Sequence, residues 1–519
     1  MAFMIIWMIA REYRDIAGAG GVKDVVRELS EAFQRAGHDV TAVLPRYGFV
    51  KPDEMGFEPY GDQLEVDMDY ASEERREKAG FWRNNINGVK IILVESGRFA
   101  EKLGIYTYTE DEEKADPAHV KGEGHYDYFA MNVLLQKAAL ALAMSLDIHP
   151  DVFHCHDGHA ALLPALMREL EGMRHYFRSS RAVVTVHNAG IGYHQEVADI
   201  PFAKAITGLP QRVIYQSLLN GIFDPFLACA PYAVMNTVSE NYARELQETE
   251  LDALTGWLGH ALSDRGVRFL GITNGINTSD FDPRHPEKLG LPAAFDPGRG
   301  DLSGKVACKR FLCELLRGKA VKDVIIHGIL ECRQSRPLIT AINRFTEQKG
   351  IDVLSEALVM LLEEDRDFDT VILGEGKKEI EERLTGFAVR PDFKGRIAVL
   401  IGYDQKLANI IYGAGDFFVI PSLYEPCGLT DFMAQLMGNI PIVRATGGLV
   451  KVRDGFNGFS YTENSASALL GAMKRALGVF RGPPEAVETI IENAVRNIYK
   501  NFTWDMVKNR YAELYSGQI

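Results

Sequence analysis

The sequence has few cysteines, and they are not spaced like metal ligands or paired disulfides. Six cysteines stand at positions 155, 229, 308, 313, 332 and 427 of 519 residues, with no CxxC pair. Because zinc sites and disulfide frameworks have recognisable spacings, the sequence predicts neither. A reducing cytoplasm is the compartment that this pattern favours.

Positive charge is also scarce. The chain has 57 Lys and Arg against 71 Asp and Glu, which gives a net charge of -14. Nucleic-acid surfaces neutralise phosphates with clustered Lys and Arg, so no broad interface with nucleic acid is predicted. A phosphate ligand would have to bind in a locally basic pocket.

Long apolar runs and the common nucleotide-binding motifs are missing as well. No apolar run approaches the roughly 20 residues that span a bilayer. The opening MAFMIIWMIA has no basic residue before it, and REYRD follows where a signal peptide would carry small residues. We interpret it as a first buried strand and expect a soluble, cytoplasmic protein without a membrane partner. Neither GxGxxG nor GxxxxGK[ST] occurs, so dinucleotide-binding and P-loop motifs are not supported.

What the sequence does contain is a regular alternation of strand-like and helix-like segments. Apolar runs such as KIILVE, AVVTVH and DFFVIP alternate with patterns such as VKDVVRELSEAFQRAG, which is apolar on one face at a 3.6-residue period. This alternation predicts parallel sheets covered on both faces. Since a chain of 519 residues is too long for one hydrophobic core, we predict an α/β fold with two doubly wound domains. Such sheets bind ligands at the carboxyl ends of their strands.

Two short segments have the composition of anion sites. Arg344 and Lys349 flank a loop before a helix predicted to begin near Ile351, where free N-H groups and the helix dipole favour negative charge. The alternative interpretation is a solvated turn with two surface cations. Gly20 and Gly21 would let the backbone approach a ligand closely at the next helix start, although a glycine pair is more often a simple turn.

Candidate polar groups stand in three strand-end segments, and they are unusually dense in the first of these. VFHCHDGH carries three histidines and Asp157, and a metal site is one interpretation, but alternate strand residues point to opposite faces. His187 is either a structural histidine or a polar group that reaches into a cleft. In YEPCGL, Glu425 is a covalent nucleophile, a general base or a binding group. Cys427 has no histidine beside it in sequence, so we expect a packing residue.

In their order along the chain, many segments resemble one enzyme family. They include AGAGGVKDVV, HCHDGHAALLPAL, TVHNAG, TNGIN, NRFTEQKGIDVL, GYDQKLANIIYGAGDFFVIPSLYEPCGLT, NIPIVRATGGL and the closing NFTWDMVKNRYAELY. These segments resemble bacterial glycogen synthases and plant starch synthases, which are retaining glycosyltransferases of family 5 with the GT-B fold.

The resemblance implies two Rossmann-like domains that face a deep interdomain cleft. Residues 1–270 would form an N-terminal domain of the starch synthase catalytic type on the acceptor side. Residues 271–498 would form a C-terminal domain of the glycosyltransferase group 1 type on the nucleotide-sugar side. Residues 499–519 would form a helix that crosses back to the first domain.

The resemblance also implies roles for individual residues. Arg344 and Lys349 would contact the donor diphosphate, Glu425 would hold glucose hydroxyls, and Asp157 and His187 would line the sugar site. The further donor-binding residues that it implies are Gly20, Gly21, Asn274, Tyr403, Cys427, Gly428, Leu429 and Thr430.

The implied activity is transfer of glucose from a nucleotide sugar to the non-reducing end of an α-1,4-glucan, with ADP-glucose as the donor that bacterial relatives usually take. No metal and no cofactor are expected, because Arg and Lys can neutralise the diphosphate. One alternative keeps the chemistry but changes the acceptor to a small molecule. The other alternative is a weakly active relative that binds glucan or nucleotide. Charge and composition do not fix the oligomeric state.

The chain departs from the family pattern at several positions. The usual Lys-Thr-Gly-Gly loop is Gly18-Ala19-Gly20-Gly21, so glycine replaces a lysine that contacts phosphate. Lys23 and Arg14 are the two nearby cations that can substitute for it. The family Asp after NGI is Asn277, the second Arg of the usual RRTGGL is Ala445, and the stretch after TGGL is shortened. These departures bear on donor affinity and rate rather than on the fold.

Overall fold

A computed structural model describes residues 2–318, 321–331 and 333–518. The chain forms two compact units, one of residues 1–274 together with 504–519 and the other of residues 275–503. The boundaries predicted from the sequence were 270 and 498.

The first unit is built on a mixed sheet whose central strands are parallel. Its strand order is β12-β11-β8-β7-β1-β2-β6-β5-β3, with β4 paired to β5. The strands are β1 (Ile5–Ile9), β2 (Asp39–Pro45), β3 (Glu58–Pro59), β4 (Leu64–Asp67), β5 (Arg76–Ile86), β6 (Val89–Glu95), β7 (Val152–His156), β8 (Arg181–Val186), a short hairpin of β9 (Leu218–Leu219) and β10 (Ile222–Phe223), β11 (Val234–Thr237) and β12 (Leu270–Gly271). The predicted opening strand is β1, which is buried in the centre of this sheet.

Helices follow most of these strands. They are α1 (Val22–Arg35), α2 (Gly97–Ala100), α3 (Glu110–Ala115), α4 (Tyr128–Ser145), α5 (Leu163–Glu169), α6 (Met173–Tyr176), α7 (Ile200–Thr207), α8 (Gln211–Gln216), α9 (Pro225–Cys229), α10 (Glu240–Glu248) and α11 (Leu258–Ser263). The apolar face predicted for VKDVVRELSEAFQRAG buries Val25, Val26, Leu29 and Phe33. In the part of the chain that the structure describes, α4 is the one helix long and apolar enough to cross a membrane, and 78% of it is buried inside the protein.

The second unit is a seven-stranded sheet with helices on both faces. Its order is β13-β16-β15-β14-β17-β18-β19, and only β13 runs antiparallel to its neighbour. The strands are β13 (Val324–Leu330), β14 (Leu338–Ile342), β15 (Asp369–Gly374), β16 (Arg396–Gly402), β17 (Phe417–Ile420), β18 (Ile440–Arg444) and β19 (Phe459–Tyr461). The helices are α12 (Pro286–Leu289), α13 (Ser303–Gly318), α14 (Ile351–Glu364), α15 (Lys378–Ala388), α16 (Gln405–Ala414), α17 (Thr430–Leu436), α18 (Ala466–Phe480) and α19 (Pro484–Asn501).

Alternate residues of the central strands enter separate cores on the two faces of this sheet. Ile372 belongs to one apolar cluster, whereas its neighbours Val371 and Leu373 belong to the other. Both faces are therefore buried, as expected for a doubly wound parallel sheet. The predicted α/β fold class with two such domains is confirmed.

The last helix, α20 (Trp504–Ser516), packs on the first unit. The Tyr515 hydroxyl lies 2.7 Å from His154 Nδ1 in β7, and Arg181 donates to the Tyr515 carbonyl at 3.0 Å. The sequence placed the start of this helix at residue 499, but α19 ends at Asn501 and α20 begins at Trp504.

The cysteines that the structure describes include both free and disulfide-bonded residues. Cys155, Cys229, Cys308 and Cys427 are free and buried. Cys313 is disulfide-bonded, so the scattered spacing of the cysteines did not exclude a disulfide. Cys332 lies outside the described residues.

Candidate functional site

In the second unit, the segments that carry Lys349 and Glu425 follow two neighbouring parallel strands. β14 pairs with β17, with Ile339 opposite Phe417. Since β15 lies on the other side of β14 and β18 on the other side of β17, the chain reverses its direction of winding between these two strands. Open α/β sheets bind ligands at this position.

Lys349 and Glu425 form an ion pair there. Lys349 Nζ lies 2.6 Å from Glu425 Oε2, and the Ser422 hydroxyl donates to the same oxygen at 2.9 Å. The two charged side chains are 18% and 14% exposed, so solvent reaches both of them. Burial raises the pKa of the Glu425 carboxyl, but Lys349, with help from the Ser422 hydrogen bond and the charge of Lys451, outweighs it and leaves the pKa below its usual value. Glu425 is therefore an ionised carboxylate at neutral pH.

Backbone contacts hold the two segments together. The N-H of Leu423 donates to the carbonyl of Gln348 at 2.9 Å. Gly350 has a φ of +63°, and the Cβ of any other residue there would collide with the Pro421 carbonyl oxygen. Only glycine fits this position, which lies between Lys349 and Ile351, the first residue of α14.

Arg344 and Tyr403 are placed differently from the ion pair. The Arg344 side chain is exposed, and no direct bond to Glu425 joins it to the pair in the described ranges. Tyr403 is 52% exposed and donates to Gln405 Oε1 at 2.7 Å. The structure thus brings Lys349 and Glu425 into contact, while Arg344 and Tyr403 are open to solvent.

A second charged pair lies behind the turn that carries Glu425, and the sequence analysis missed it. Lys451 Nζ lies 3.1 Å from Asp431 Oδ1, and both side chains are buried. Burial raises the pKa of Asp431 to about 6, although the charge of Lys451 opposes the shift. The signal available in the sequence was a lysine two residues after TGGL, together with an acid two residues after CGL. Ser422 was also missed, since a single serine carries no such signal.

The other residues of YEPCGLT form the turn itself. Cys427 and Gly428 are buried, Leu429 precedes α17, and Thr430 is the first residue of that helix. Gly428 has a φ of +70°, in the left-handed region that favours glycine.

In the first unit, Asp157 and His187 come together at the ends of β7 and β8. The N-H of His187 donates to Asp157 Oδ1 at 2.6 Å, and Asp157 has a φ of +61°, which is unusual for a residue with a side chain. Burial raises the pKa of the Asp157 carboxyl to about 7, even though the N-H groups bonded to it act in the opposite direction. Burial also lowers the pKa of His187 to about 3, so this imidazole is neutral.

The neighbouring histidines are mainly structural. His154 bonds through its two ring nitrogens to Tyr515 and Thr185, both at 2.7 Å. His156 lies 3.0 Å from His187, and burial lowers the pKa values of His156 and His159 well below the usual range. Over the described ranges, no group of three or more His, Cys, Asp or Glu side chains is placed to hold a metal ion.

The glycine loop before α1 is occupied by an internal carboxylate. The N-H groups of Ala19 and Gly20 donate to Glu12 Oε2 at 2.6 and 2.7 Å, and Tyr106 donates to the other carboxylate oxygen. Gly21 caps α1 with a φ of -73°, which any residue can adopt. Gly20 and Gly21 are thus placed beside a helix start, as predicted, but the Gly20 N-H already has a partner.

The two cations near Gly18, Lys23 and Arg14, make different contacts. A Cβ on Gly18 would collide with Lys23 Cδ, so the Lys23 side chain occupies the space of a residue-18 side chain. Lys23 Nζ donates to the Gly20 carbonyl at 2.8 Å. Lys23 Nζ also lies 3.5 Å from Asp24 Oδ2, while Arg14 is held more closely, by Asp24 at 2.6 Å and Glu28 at 3.1 Å. Lys23 is therefore the cation at the glycine loop.

Asn274 ends the first unit and is 3% exposed. Its Oδ1 is buried and has no hydrogen-bond partner among the residues that the structure describes. A buried acceptor without a partner is costly unless a ligand or water satisfies it.

Comparison with known proteins gives the same two-part division. Residues 5–260 match the family described as starch synthase catalytic domain, and residues 336–478 match glycosyl transferases group 1. Glycogen synthase 1 of Geobacter metallireducens is 31% identical over 99% of this chain and 96% of its own length. Glycogen synthase of Anaeromyxobacter dehalogenans is 32% identical over 99% of this chain and 98% of its own length.

A solved structure extends the likeness to the fold. The catalytic domain of starch synthase IV from Arabidopsis thaliana, bound to ADP and acarbose, is 26% identical to this chain with a TM-score of 0.80. The alignment covers 99% of each chain. The motifs, the two doubly wound units and the full-length similarity lead to one conclusion: this chain belongs to the glycogen synthase family of glycosyltransferases.

Proposed function

We propose that this protein transfers glucose from ADP-glucose to the non-reducing end of an α-1,4-glucan, with retention of configuration. The observation that carries the proposal is the ion pair of Lys349 and Glu425 at the winding reversal of the second unit. Full-length similarity to glycogen synthases supports the same reaction class.

The chemistry needs charges of both signs. Glycosyl transfer through an oxocarbenium-like state leaves positive charge on the sugar ring and negative charge on the departing diphosphate. A carboxylate near the sugar and cations near the phosphates strengthen as these charges develop, which is preorganised electrostatic catalysis. Glu425 is the ionised carboxylate for the sugar, while Lys349 and Arg344 are the cations for the diphosphate.

The first unit also carries groups suited to sugar recognition. The N-H of His187 is bonded to Asp157 at the ends of β7 and β8, and the neutral imidazole of His187 can donate or accept a hydrogen bond. Asn274 offers a buried acceptor without a partner in the described part of the chain. These groups fit recognition of sugar hydroxyls, and they need neither a metal nor a cofactor.

The decisive experiment incubates the protein with ADP-glucose and, separately, UDP-glucose in the presence of glycogen. Release of nucleoside diphosphate and lengthening of the glucan are followed together. We expect turnover with at least one donor, and faster turnover with ADP-glucose. A maltose or glucose phosphate arm tests the small-acceptor alternative, and diphosphate binding without turnover would favour the non-enzymatic alternative.

Two variants test the assigned roles. Lys349→Ala and Glu425→Gln are each expected to lower kcat by about 100-fold or more, because each removes a charge matched to the transition state. The matched controls are Lys377→Ala and Glu347→Gln, since Lys377 and Glu347 form an exposed ion pair in the same unit. Rates that are unchanged in the first two variants, or lowered equally in the controls, would contradict the roles of Lys349 and Glu425.

A further inference from the structure

Lys451 is a buried cation bonded to the main chain of the turn that carries Glu425. We call residues 425–429 the donor turn. Lys451 Nζ donates to the carbonyl oxygens of Cys427 and Gly428, both at 2.6 Å, and lies 3.1 Å from Asp431 Oδ1. The Lys451 side chain is 7% exposed, so these contacts are shielded from water.

The two carbonyl groups belong to the peptide units that end in the N-H groups of Gly428 and Leu429. In a trans peptide the N-H points away from the C=O, so these two N-H groups face away from Lys451. A cation bonded to a carbonyl oxygen draws electron density from the peptide unit, which makes its N-H a stronger donor. Lys451 therefore acts on the two amides without lying beside them.

The backbone conformation makes these amides converge. Gly428 has a φ of +70°, and Leu429 has φ -102° and ψ -26°. A left-handed residue followed by a right-handed one turns successive N-H groups toward one side, which forms an anion-binding concavity. The turn thus presents two polarised donors in a geometry suited to one anionic oxygen.

The segment that carries Lys451 packs closely against the same turn. The N-H of Gly448 donates to the Glu425 carbonyl at 3.0 Å. A Cβ on Gly448 would collide with the Cys427 carbonyl oxygen. Lys451 Nζ also lies 4.3 Å from the centre of the Phe432 ring. This packing fixes the cation relative to the two carbonyls.

We propose that Lys451 is a positioning residue that strengthens the Gly428 and Leu429 N-H groups as donors to the diphosphate of the nucleotide sugar. It touches neither donor nor acceptor and acts through the two peptide units. The inference rests on the proposed function, because it assigns the diphosphate to the donor turn.

An electrostatic role gives opposite effects for the two members of the buried pair. Lys451→Met removes the polarising charge, so diphosphate binding weakens. Asp431→Asn removes the charge that offsets Lys451, so diphosphate binding stays as tight or tightens. A role confined to fold stability would weaken binding in both variants.

Calorimetric titration with ADP and with adenosine at neutral pH separates these outcomes. We expect Lys451→Met to raise the Kd of ADP about tenfold and leave that of adenosine within about twofold, and Asp431→Asn not to raise the Kd of ADP. The inference would be overturned if both variants bound ADP more weakly, or if Lys451→Met weakened the binding of adenosine as much as that of ADP. If Lys451→Met does not fold, the double variant Lys451→Met/Asp431→Asn, which buries no unpaired charge, replaces it with the same expected loss of ADP binding.

The test does not depend on turnover. Absence of glucosyl transfer by the wild-type protein would contradict the proposed function and leave the ADP comparison intact. If the wild-type protein does not bind ADP, the inference on Lys451 is wrong, whatever the transfer assay gives. Lys377→Met, which removes an exposed lysine of the same unit, controls for the loss of one positive charge.

Discussion

Single residues decide how this chain differs from the common pattern of its family. Gly18 makes room for the side chain of Lys23, whose Nζ reaches the glycine loop. Lys23 is 32% exposed and lies 3.5 Å from Asp24, whereas Arg14 is bonded to both Asp24 and Glu28. The positive charge is therefore retained at the loop, although it comes from a different position.

We expect Lys23→Met to raise the KM for the sugar nucleotide about tenfold with little change in stability, because a partly exposed lysine contributes little to folding. Arg14→Met should instead lower the free energy of unfolding by about 1 kcal/mol or more, since it removes an ionic partner of the buried Glu28. Steady-state kinetics and urea unfolding measure the two effects.

The double variant Gly18→Lys/Lys23→Gly, which moves the charge to the family position, should recover most of the lost affinity. No recovery would contradict the assignment of Lys23.

Asp157 is expected to make stability depend on pH. Its pKa of about 7 in the folded protein lies above its ordinary value of 3.8, so its protonated form stabilises the fold fully below about pH 4. That contribution to the free energy of unfolding is lost as the pH rises to about 7. The loss is at most about 4 kcal/mol. The amide that Asp157→Asn introduces does not titrate, so wild type should lose stability relative to this variant between these pH values.

Urea unfolding of both proteins from about pH 4 to about pH 8 measures this difference. Asp147→Asn is a matched control, because Asp147 also has a left-handed φ, of +52°, but is exposed. A difference between wild type and Asp157→Asn that is constant with pH would contradict the assigned pKa.

At the scale of elements, the site depends on turns that pack backbone against backbone. The donor turn and residues 446–451 approach so closely that Gly447 and Gly448 leave no space for a Cβ. The short helical turn of Gly447–Lys451 then directs Lys451 back under the donor turn. The glycines of TGGL are thus explained by close approach between two segments.

Gly448→Ala should destabilise the protein by about 1–3 kcal/mol and sharply lower glucosyl transfer, because its Cβ would meet the Cys427 carbonyl oxygen. Thermal unfolding and the transfer assay measure these effects. Gly471→Ala is the matched control: Gly471 lies inside α18 with nothing within 4 Å of an added Cβ, so this change should stabilise by about 0.5–1 kcal/mol. An active and stable Gly448→Ala variant would show that the turn tolerates displacement.

At the scale of the whole molecule, the chain termini belong to one folding unit. Residues 504–518 pack on the first unit, where Trp504, Val507, Tyr511 and Tyr515 are buried. The last helix is therefore part of the first hydrophobic core, although the second unit separates it in sequence from the rest of that core.

Deletion of residues 504–519 should lower the stability of the first unit and spare the second. We expect calorimetry to show one unfolding transition shifted down by several degrees and the other little changed, since the buried aromatic area is lost from one core only. Tyr515→Phe, which removes the hydrogen bond to His154, should give a smaller destabilisation of about 1 kcal/mol in the same transition. Equal shifts of both transitions would contradict this division of the chain.

Local pattern by itself determined the class of the fold and the positions of the candidate residues. Alternating apolar strands and amphipathic helices specify doubly wound sheets, since periodicity fixes which face of each element is buried. Strand ends followed by polar or glycine-rich segments identified VFHCHDGH, the loop before α14 and YEPCGL. The family motifs then assigned these segments to one reaction class.

Only the tertiary structure decided which of these residues meet. Lys349 and Glu425 are 76 residues apart, and His154 and Tyr515 are 361 apart, so no local period relates them. The contacts of Glu12 at the glycine loop and of Lys451 under the donor turn likewise depend on packing between separate segments. Sequence periodicity specifies which residues are buried in each element, whereas the winding of the sheets and the close approach of their turns decide which charges become partners.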